Sequence, residues 1–233
     1  MKTLFAWLVH LYTSMGFVCA AGMVVFIMRG DDVSFRWAFG LMMVATAIDA
    51  TDGWLARAAH VREVLPNFDG SALDNFIDFH TYASVPLFLL WRAGTLTDGL
   101  AWLLMLPLLA SAYGFSQVNV KTDDGFFLGF PSYWNIVAFY LYVLRAPEWV
   151  SVPVIVILSI LTFVPTHYIY ATRGGPFARL INIGAAVWFV TLGLVLLGTV
   201  GDARLLAMVS LIYPLIYLAL SALVTVQRRA RPH

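Results

Sequence analysis

Long apolar runs separated by short polar joints dominate the pattern of the chain. A helix that crosses a bilayer needs about 20 mostly apolar residues. By that measure the sequence predicts eight spanning helices, at about residues 4–28, 34–58, 71–92, 98–118, 132–146, 150–170, 179–199 and 204–227. Four prolines interrupt these runs and are interpreted as kinks, which a helix bundle tolerates when neighbouring groups bond the freed carbonyls: Pro86, Pro107, Pro165 and Pro214.

Composition agrees with this pattern. The 233 residues are 61% hydrophobic and 12% charged, and that charge content is about half of what soluble domains carry. A net charge of +1 gives no basis for binding nucleic acid, which calls for a basic patch. The single cysteine, Cys19, is predicted to be buried in packing. We predict one integral membrane domain over residues 1–233, with an all-α fold that forms a polytopic helix bundle.

Acidic and small residues share helical spacing in the second and third apolar runs, where charge is costly. At about 100° per residue, one face of the second run carries Asp49, Asp52, Gly53 and Ala56, with Arg57 at its edge. The next run steps by four through Gly70, Asp74 and Asp78. If the two helices lie side by side, four carboxylates converge, and like charges that close need cations between them. Oxygen ligands suit hard divalent ions such as Mg²⁺ or Mn²⁺.

Simpler explanations exist for single members of this pattern. Asp74 fits a capping box in which Ser71 is the N-cap and Asp74 the third helical residue. Asp49 and Asp52 could form a solvated helix end. Neither explanation accounts for the joint pattern, and acids in or near a membrane are usually functional, so a metal role is favoured.

The two motifs together resemble a known family. Residues 49–57 read D-A-T-D-G-W-L-A-R, and residues 70–78 read G-S-A-L-D-N-F-I-D. This pattern resembles the signature of the CDP-alcohol phosphotransferases, membrane enzymes that join a CDP-activated alcohol to a second alcohol and release CMP. The spacer of residues 58–69 is longer than in the commonest form of that signature. Both the spacer and the segment G-F-P-S-Y-W-N at 129–135 resemble the bacterial phosphatidylcholine synthase branch.

The resemblance implies an activity and roles for the motif residues. The phosphatidyl group of CDP-diacylglycerol would pass to choline, with two Mg²⁺ or Mn²⁺ ions in the site. The expected metal ligands are Asp49, Asp52, Asp74 and Asp78. Asp78 is also expected to take the proton of the choline hydroxyl. The expected CDP-diacylglycerol-binding residues are Gly53, Ala56, Arg57, Gly70 and Lys121, although Lys121 could be an ordinary cytoplasmic lysine. The resemblance also implies a homodimer.

Two aromatic residues in the connection 119–135 are candidates for choline recognition. A trimethylammonium group offers no N–H to a carboxylate and is held by aromatic faces. Tyr133 and Trp134 are therefore expected to bind choline. The alternative is an interfacial aromatic belt, where tryptophan and tyrosine collect in membrane proteins.

Basic residues predict the orientation in the membrane. Eight spans would place both termini on one side, together with the acidic motifs. Most of the 14 lysines and arginines fall on that side, and such an excess marks the cytoplasm. We expect a multi-pass protein of the bacterial inner membrane, with cytoplasmic termini and a cytoplasmic active site.

Two rival functions stay open at this point. The same reaction could use serine, inositol or glycerol phosphate as the acceptor. The protein could instead be a transporter whose intramembrane carboxylates carry cations. The bunching of the acids at one edge and the absence of paired half-repeats in the sequence argue against transport.

Overall fold

The computed structural model describes residues 1–117, 122, 125–170, 177–199 and 201–229. Most of these residues are helical, and the predicted all-α membrane class is confirmed. The α-helices are α1 (Lys2–Arg29), α2 (Asp32–Ala58), α3 (Val61–Val64), α4 (Gly70–Asp78), α5 (Val85–Arg92), α6 (Met105–Ser116), α7 (Trp134–Val143), α8 (Glu148–Leu161), α9 (Ala178–Leu197), α10 (Ala203–Ser210) and α11 (Ile212–Arg229). A π-helix (Phe79–Ser84) joins α4 to α5, and a 3₁₀-helix (Ala101–Leu104) leads into α6.

Several helices are long and apolar enough to cross a membrane. Within the described residues there are four such segments: Lys2–Arg29, Asp32–Ala58, Ala178–Leu197 and Ala203–Arg228. Shorter apolar helices cover Ala101–Ser116, Trp134–Val143 and Glu148–Leu161, and α4, the π-helix and α5 form one continuous helix. Each of the eight predicted runs thus contains a helix, while the number that spans the bilayer stays a prediction.

The sixth predicted span is wrong at its end. Helix α8 stops at Leu161, and residues His167–Ile169 form strand β2. This strand pairs antiparallel with β1 (Phe126–Leu128), with Phe126 opposite Ile169. Pro165 gives the reason, because proline has no N–H and disfavours helix at the residue before it. Pro165 therefore lies in a connection and does not kink a helix.

The other three prolines lie near the starts of helical segments. Pro86 is the second residue of α5, and Pro107 and Pro214 are the third residues of α6 and α11. Each of these prolines follows another helical segment closely, so it leaves a carbonyl of the preceding turn without its usual donor. All three therefore lie where one helical segment gives way to the next, and a kink there stays a prediction.

By its contacts the chain divides into two compact units. Unit 1 comprises Met1–Gly94 and Trp134–Ala138, and unit 2 comprises Thr95–Tyr133 and Phe139–His233. That the 233 residues form one functional domain stays a prediction.

In unit 1, helix α1 turns one face inward. Its buried positions recur every three or four residues and include Val9, His10, Thr13 and Gly16, as expected for one side of a helix. Large apolar side chains on its other faces are exposed, which suits contact with lipid. Helix α2 begins at a cap, because the Asp31 carboxylate accepts from the Ser34 N–H at 2.9 Å and from the Ser34 hydroxyl at 2.7 Å. These donors lower the pKa of Asp31.

In unit 2, the short antiparallel strand pair packs on the last helices. Phe126 and Ile169 from the strands form a buried cluster with Ile181 of α9 and Val224 of α11. The Tyr140 hydroxyl lies 2.8 Å from the Ser210 hydroxyl and accepts a hydrogen bond from the Trp188 indole at 2.7 Å. These bonds link α7, α9 and α10 within unit 2.

Candidate metal centre

Three of the four predicted acidic ligands lie together in unit 1. Asp49 of α2 and Asp74 and Asp78 of α4 each present one carboxylate oxygen, and these oxygens lie within 4.8 Å of one another. Asp78 is buried, and the other two are half-buried. The two helices thus meet on the faces that carry the acids.

The donor set fits a divalent ion. Carboxylate oxygens are the ligands that Mg²⁺ and Mn²⁺ prefer. Two oxygens bound to one octahedral ion at about 2.1 Å lie about 3 to 4.2 Å apart, so small side-chain rotations would let the three residues share an ion. Three carboxylates at this separation repel one another unless a cation or a proton offsets their charge.

A tyrosine that the sequence analysis missed orients one of these acids. The Tyr82 hydroxyl donates to Asp49 Oδ2 at 2.7 Å. Tyr82 continues the four-residue step of Gly70, Asp74 and Asp78, and this step beyond Asp78 is the sequence signal that could have found it. The residue lies in the π-helix, a feature that frequently occurs at functional sites.

Pro86 explains why a π-helix follows Asp78. In an α-helix the residue at position 86 would donate to the carbonyl of Tyr82, but proline has no N–H and its ring clashes with that carbonyl. A wider turn relieves the clash, and the Val85 N–H donates to the His80 carbonyl five residues earlier. The π-helix is therefore what the proline in the sequence favours.

Asp52, the fourth predicted ligand, is tied to α1. It is 7% exposed, and its Oδ2 accepts a hydrogen bond from the Thr13 hydroxyl at 2.8 Å. One residue earlier on both helices, the Tyr12 hydroxyl lies 2.7 Å from the Thr51 hydroxyl. Thr13 was also missed, and its signal was a polar residue in the apolar first run, three positions after His10.

The small residues of the motif have different surroundings. Apart from the neighbouring residues and backbone of α2, a Cβ built on Gly53 would meet only Arg57 Nη1 within 4 Å in the described part of the chain, at 3.4 Å. Its open side suits a ligand that approaches the backbone, with the exposed Arg57 guanidinium beside it. A Cβ on Gly70 would instead lie 2.6 Å from His10 Cε1, so the imidazole occupies that space. Ala56 packs against a cluster that includes Val61.

The start of α4 excludes the capping box that was the alternative role for Asp74. The N-cap is Asp69, whose carboxylate accepts from the Ala72 N–H at 2.9 Å. With that cap Asp74 lies beyond the first turn, so the capping box with Ser71 as its N-cap is wrong.

Lys121, a predicted phosphate ligand, lies outside the described residues.

The two aromatic candidates belong to different units. Trp134 is fully buried in unit 1, and full burial does not fit an interfacial belt. Tyr133 is half-buried in unit 2, where its ring centroid lies 6.5 Å from those of Phe130 and Tyr217. Tyr168 adds a fourth ring, 6.2 Å from Phe130.

Comparison with known proteins gives a consistent set of relatives. The chain is 38% identical over 170 residues to a phosphatidylcholine synthase of Legionella pneumophila, an alignment that covers 72% of this chain and 66% of that protein. The chain is also 38% identical to the phosphatidylcholine synthase of Mesorhizobium japonicum, in an alignment that covers 72% of this chain and 62% of that protein. Its identity to the phosphatidylcholine synthase of Pseudomonas aeruginosa is 32%, in an alignment that covers 86% of this chain and 84% of that protein. The chain thus spans slightly less than two thirds of the first two proteins. No protein-family model matches it.

Proposed function

Because this chain belongs to the phosphatidylcholine synthase family, we propose that it transfers the phosphatidyl group of CDP-diacylglycerol to choline and releases CMP. The observation that carries the proposal is the group of Asp49, Asp74 and Asp78, whose oxygens lie within 4.8 Å of one another. These motif residues would hold the metal ions that neutralise the charge developing in phosphoryl transfer. Family membership also counts against the transporter interpretation.

The acids would hold two divalent ions, Mg²⁺ or Mn²⁺. Asp49, Asp52 and Asp74 would provide the principal ligands, with Asp52 held by Thr13, and Asp78 would lie within reach of the same ions. Bound metal would supply neutralisation of the charge that develops on the transferred phosphate. Tyr82 keeps the Asp49 carboxylate oriented, and the open side of Gly53, with Arg57, would admit and bind the diphosphate.

Asp78 is the proposed general base. Choline attacks the phosphorus that bears diacylglycerol, a new P–O bond forms, and the P–O bond to CMP breaks. The choline hydroxyl proton passes to an Asp78 carboxylate oxygen as the attack proceeds. Asp78 is 8% exposed, so little water competes for this proton.

Aromatic rings around Tyr133 would recognise the choline cation. The Phe130 and Tyr133 rings form a T-shaped pair at 78° with centroids 6.5 Å apart. Aromatic faces of this kind are the surfaces that bind a quaternary ammonium group. Trp134 stays the second proposed choline-binding residue.

Location and assembly are further parts of the proposal. The excess of basic residues supports an inner-membrane protein whose termini and site face the cytoplasm, and the family resemblance implies a homodimer. A Lys2→Cys variant tests the orientation, because the native Cys19 is buried. We expect a membrane-impermeant maleimide to label it only after the inner membrane is permeabilised, and labelling of intact spheroplasts would contradict a cytoplasmic N-terminus.

The reaction is tested with purified protein and CDP-diacylglycerol. Labelled choline, serine, inositol and glycerol phosphate are offered separately, with and without EDTA. We expect label in lipid, and an equal amount of CMP, only with choline and only in the presence of a divalent ion. Incorporation of a rival acceptor alone would refute choline, and failure to release CMP would refute the reaction class.

The base is tested by Asp78→Asn. Loss of a general base typically costs about 10²- to 10⁴-fold in rate, and we expect a fall of that order with CMP binding retained. Asp31→Asn is the matched control, since it makes the same charge change about 27 Å along α2 from Asp49 and asparagine still caps a helix. Full turnover by Asp78→Asn would remove the assignment.

A further inference from the structure

His10 is a buried polar side chain that the proposed chemistry leaves unused. It is 7% exposed, and among the described residues its Nε2 has no hydrogen-bond partner. Its ring packs against Phe68 and Trp7, with centroids 4.4 and 5.9 Å away. Buried polar atoms in proteins are nearly always satisfied, so this nitrogen calls for a partner.

The position of His10 connects it to both acidic motifs. The ring fills the space beside Gly70, where a Cβ would lie 2.6 Å from His10 Cε1. Gly70 begins α4 one turn before Asp74, a distance of about 6 Å along the helix. On α1, Thr13 follows His10 on the same face and donates to Asp52. His10 therefore lies about one turn from the proposed phosphate and metal site on two separate helices.

We propose that His10 Nε2 hydrogen-bonds the N3–N4 edge of the cytosine ring of bound CDP-diacylglycerol, the edge that differs between cytosine and uracil, an inference that rests on the proposed function. With the diphosphate at the acids, the nucleoside end of the substrate extends about one turn away and reaches the level of Gly70. Phe68 and Trp7 give that region flat apolar surfaces, which suit a pyrimidine. A neutral imidazole can donate or accept at Nε2, and the base edge offers both kinds of partner, whereas an anionic phosphate is better matched by a cation.

The test compares the binding of CMP and UMP, by calorimetry, to wild type, His10→Phe and His10→Gln. Phenylalanine keeps a flat ring without nitrogen, and glutamine restores a polar group. For His10→Phe we expect about tenfold weaker CMP binding, as for loss of one buried hydrogen bond, with a smaller loss for UMP. The KM for CDP-diacylglycerol should rise by a similar factor while the KM for choline stays unchanged, and His10→Gln should recover part of both effects.

The outcomes separate this inference from the proposed function. Unchanged CMP affinity in His10→Phe overturns the role of His10, and equal losses for CMP and UMP overturn the contact to the N3–N4 edge of cytosine. Wild-type protein without any affinity for CMP overturns the proposed function together with it.

Gly70→Ala provides a second test, which does not require that the His10→Phe variant folds correctly. A methyl group at this position must displace the imidazole, so we expect weaker CMP binding in Gly70→Ala. In a His10→Ala background the same substitution should cause little further loss, because the ring is absent. An undiminished loss in that background would show that the ligand meets the glycine itself and would overturn the role of His10.

Discussion

Tyr82→Phe removes one hydroxyl from the candidate metal centre and leaves the ring in place. The lost bond is the 2.7 Å donation to Asp49 Oδ2. A hydrogen bond to a charged group contributes about 1.5 to 3 kcal/mol, which corresponds to about 10- to 150-fold in an equilibrium constant. Residues that orient metal ligands typically change metal affinity by about 10- to 100-fold. Both estimates predict that Tyr82→Phe binds metal at least tenfold more weakly.

The assay is a titration of purified protein with Mn²⁺, with free ion measured by electron paramagnetic resonance. It reports affinity directly and does not depend on turnover. Tyr12→Phe is the matched control, because it removes a tyrosine hydroxyl that also makes a 2.7 Å bond in unit 1, to the hydroxyl of Thr51. We expect the control to stay within about twofold of wild type. Unchanged Mn²⁺ affinity in Tyr82→Phe, or an equal loss in both variants, would refute the orienting role of Tyr82.

Three further variants test neighbouring parts of the argument. Pro86→Ala restores the donor for a regular α-helix, so we expect Tyr82 to turn away from Asp49 and the same Mn²⁺ titration to show weaker binding; wild-type affinity would contradict this. Thr13→Val leaves the buried Asp52 without its hydroxyl donor, at a cost of about 1 to 3 kcal/mol, and should lower the melting temperature, with Thr13→Ser as the control; equal melting of Thr13→Val and wild type would count against the bond. Tyr133→Leu removes a cation–π contact of about 0.5 to 2 kcal/mol and should raise the KM for choline about 2- to 30-fold while Tyr133→Phe does not; an unchanged KM would remove Tyr133 from the choline site.

The acidic centre was predictable because its spacing is local. Asp74 and Asp78 lie one turn apart on any helix, and Asp49 lies on a face that a neighbouring acidic helix would have to meet. The family resemblance read from these residues is confirmed by relatives that are 32% to 38% identical. The helices were predictable for a similar reason, since long apolar runs in a membrane protein must satisfy their own backbone groups.

The hydroxyl partners of the acids were not predictable in this way. Tyr82 and Asp49 are 33 residues apart, and Thr13 and Asp52 are 39 apart, so their contacts depend on how α1, α2 and α4 pack. The strand pair was missed because three-residue strands have no periodicity to recognise, and β2 interrupts what the sequence presented as one apolar run. Gly70 was expected to bind CDP-diacylglycerol, which stays a prediction, and the His10 ring that the structure places beside it was not foreseen.

Two acids of α2 are each held by a neighbouring segment. The Tyr82 hydroxyl of the π-helix donates to Asp49, and the Thr13 hydroxyl of α1 donates to Asp52. A hydroxyl that donates to a carboxylate fixes the direction of the oxygen that accepts. The π-helix that precedes Pro86 therefore bears on the site through the Tyr82 hydroxyl, and a change in this turn should be felt at Asp49.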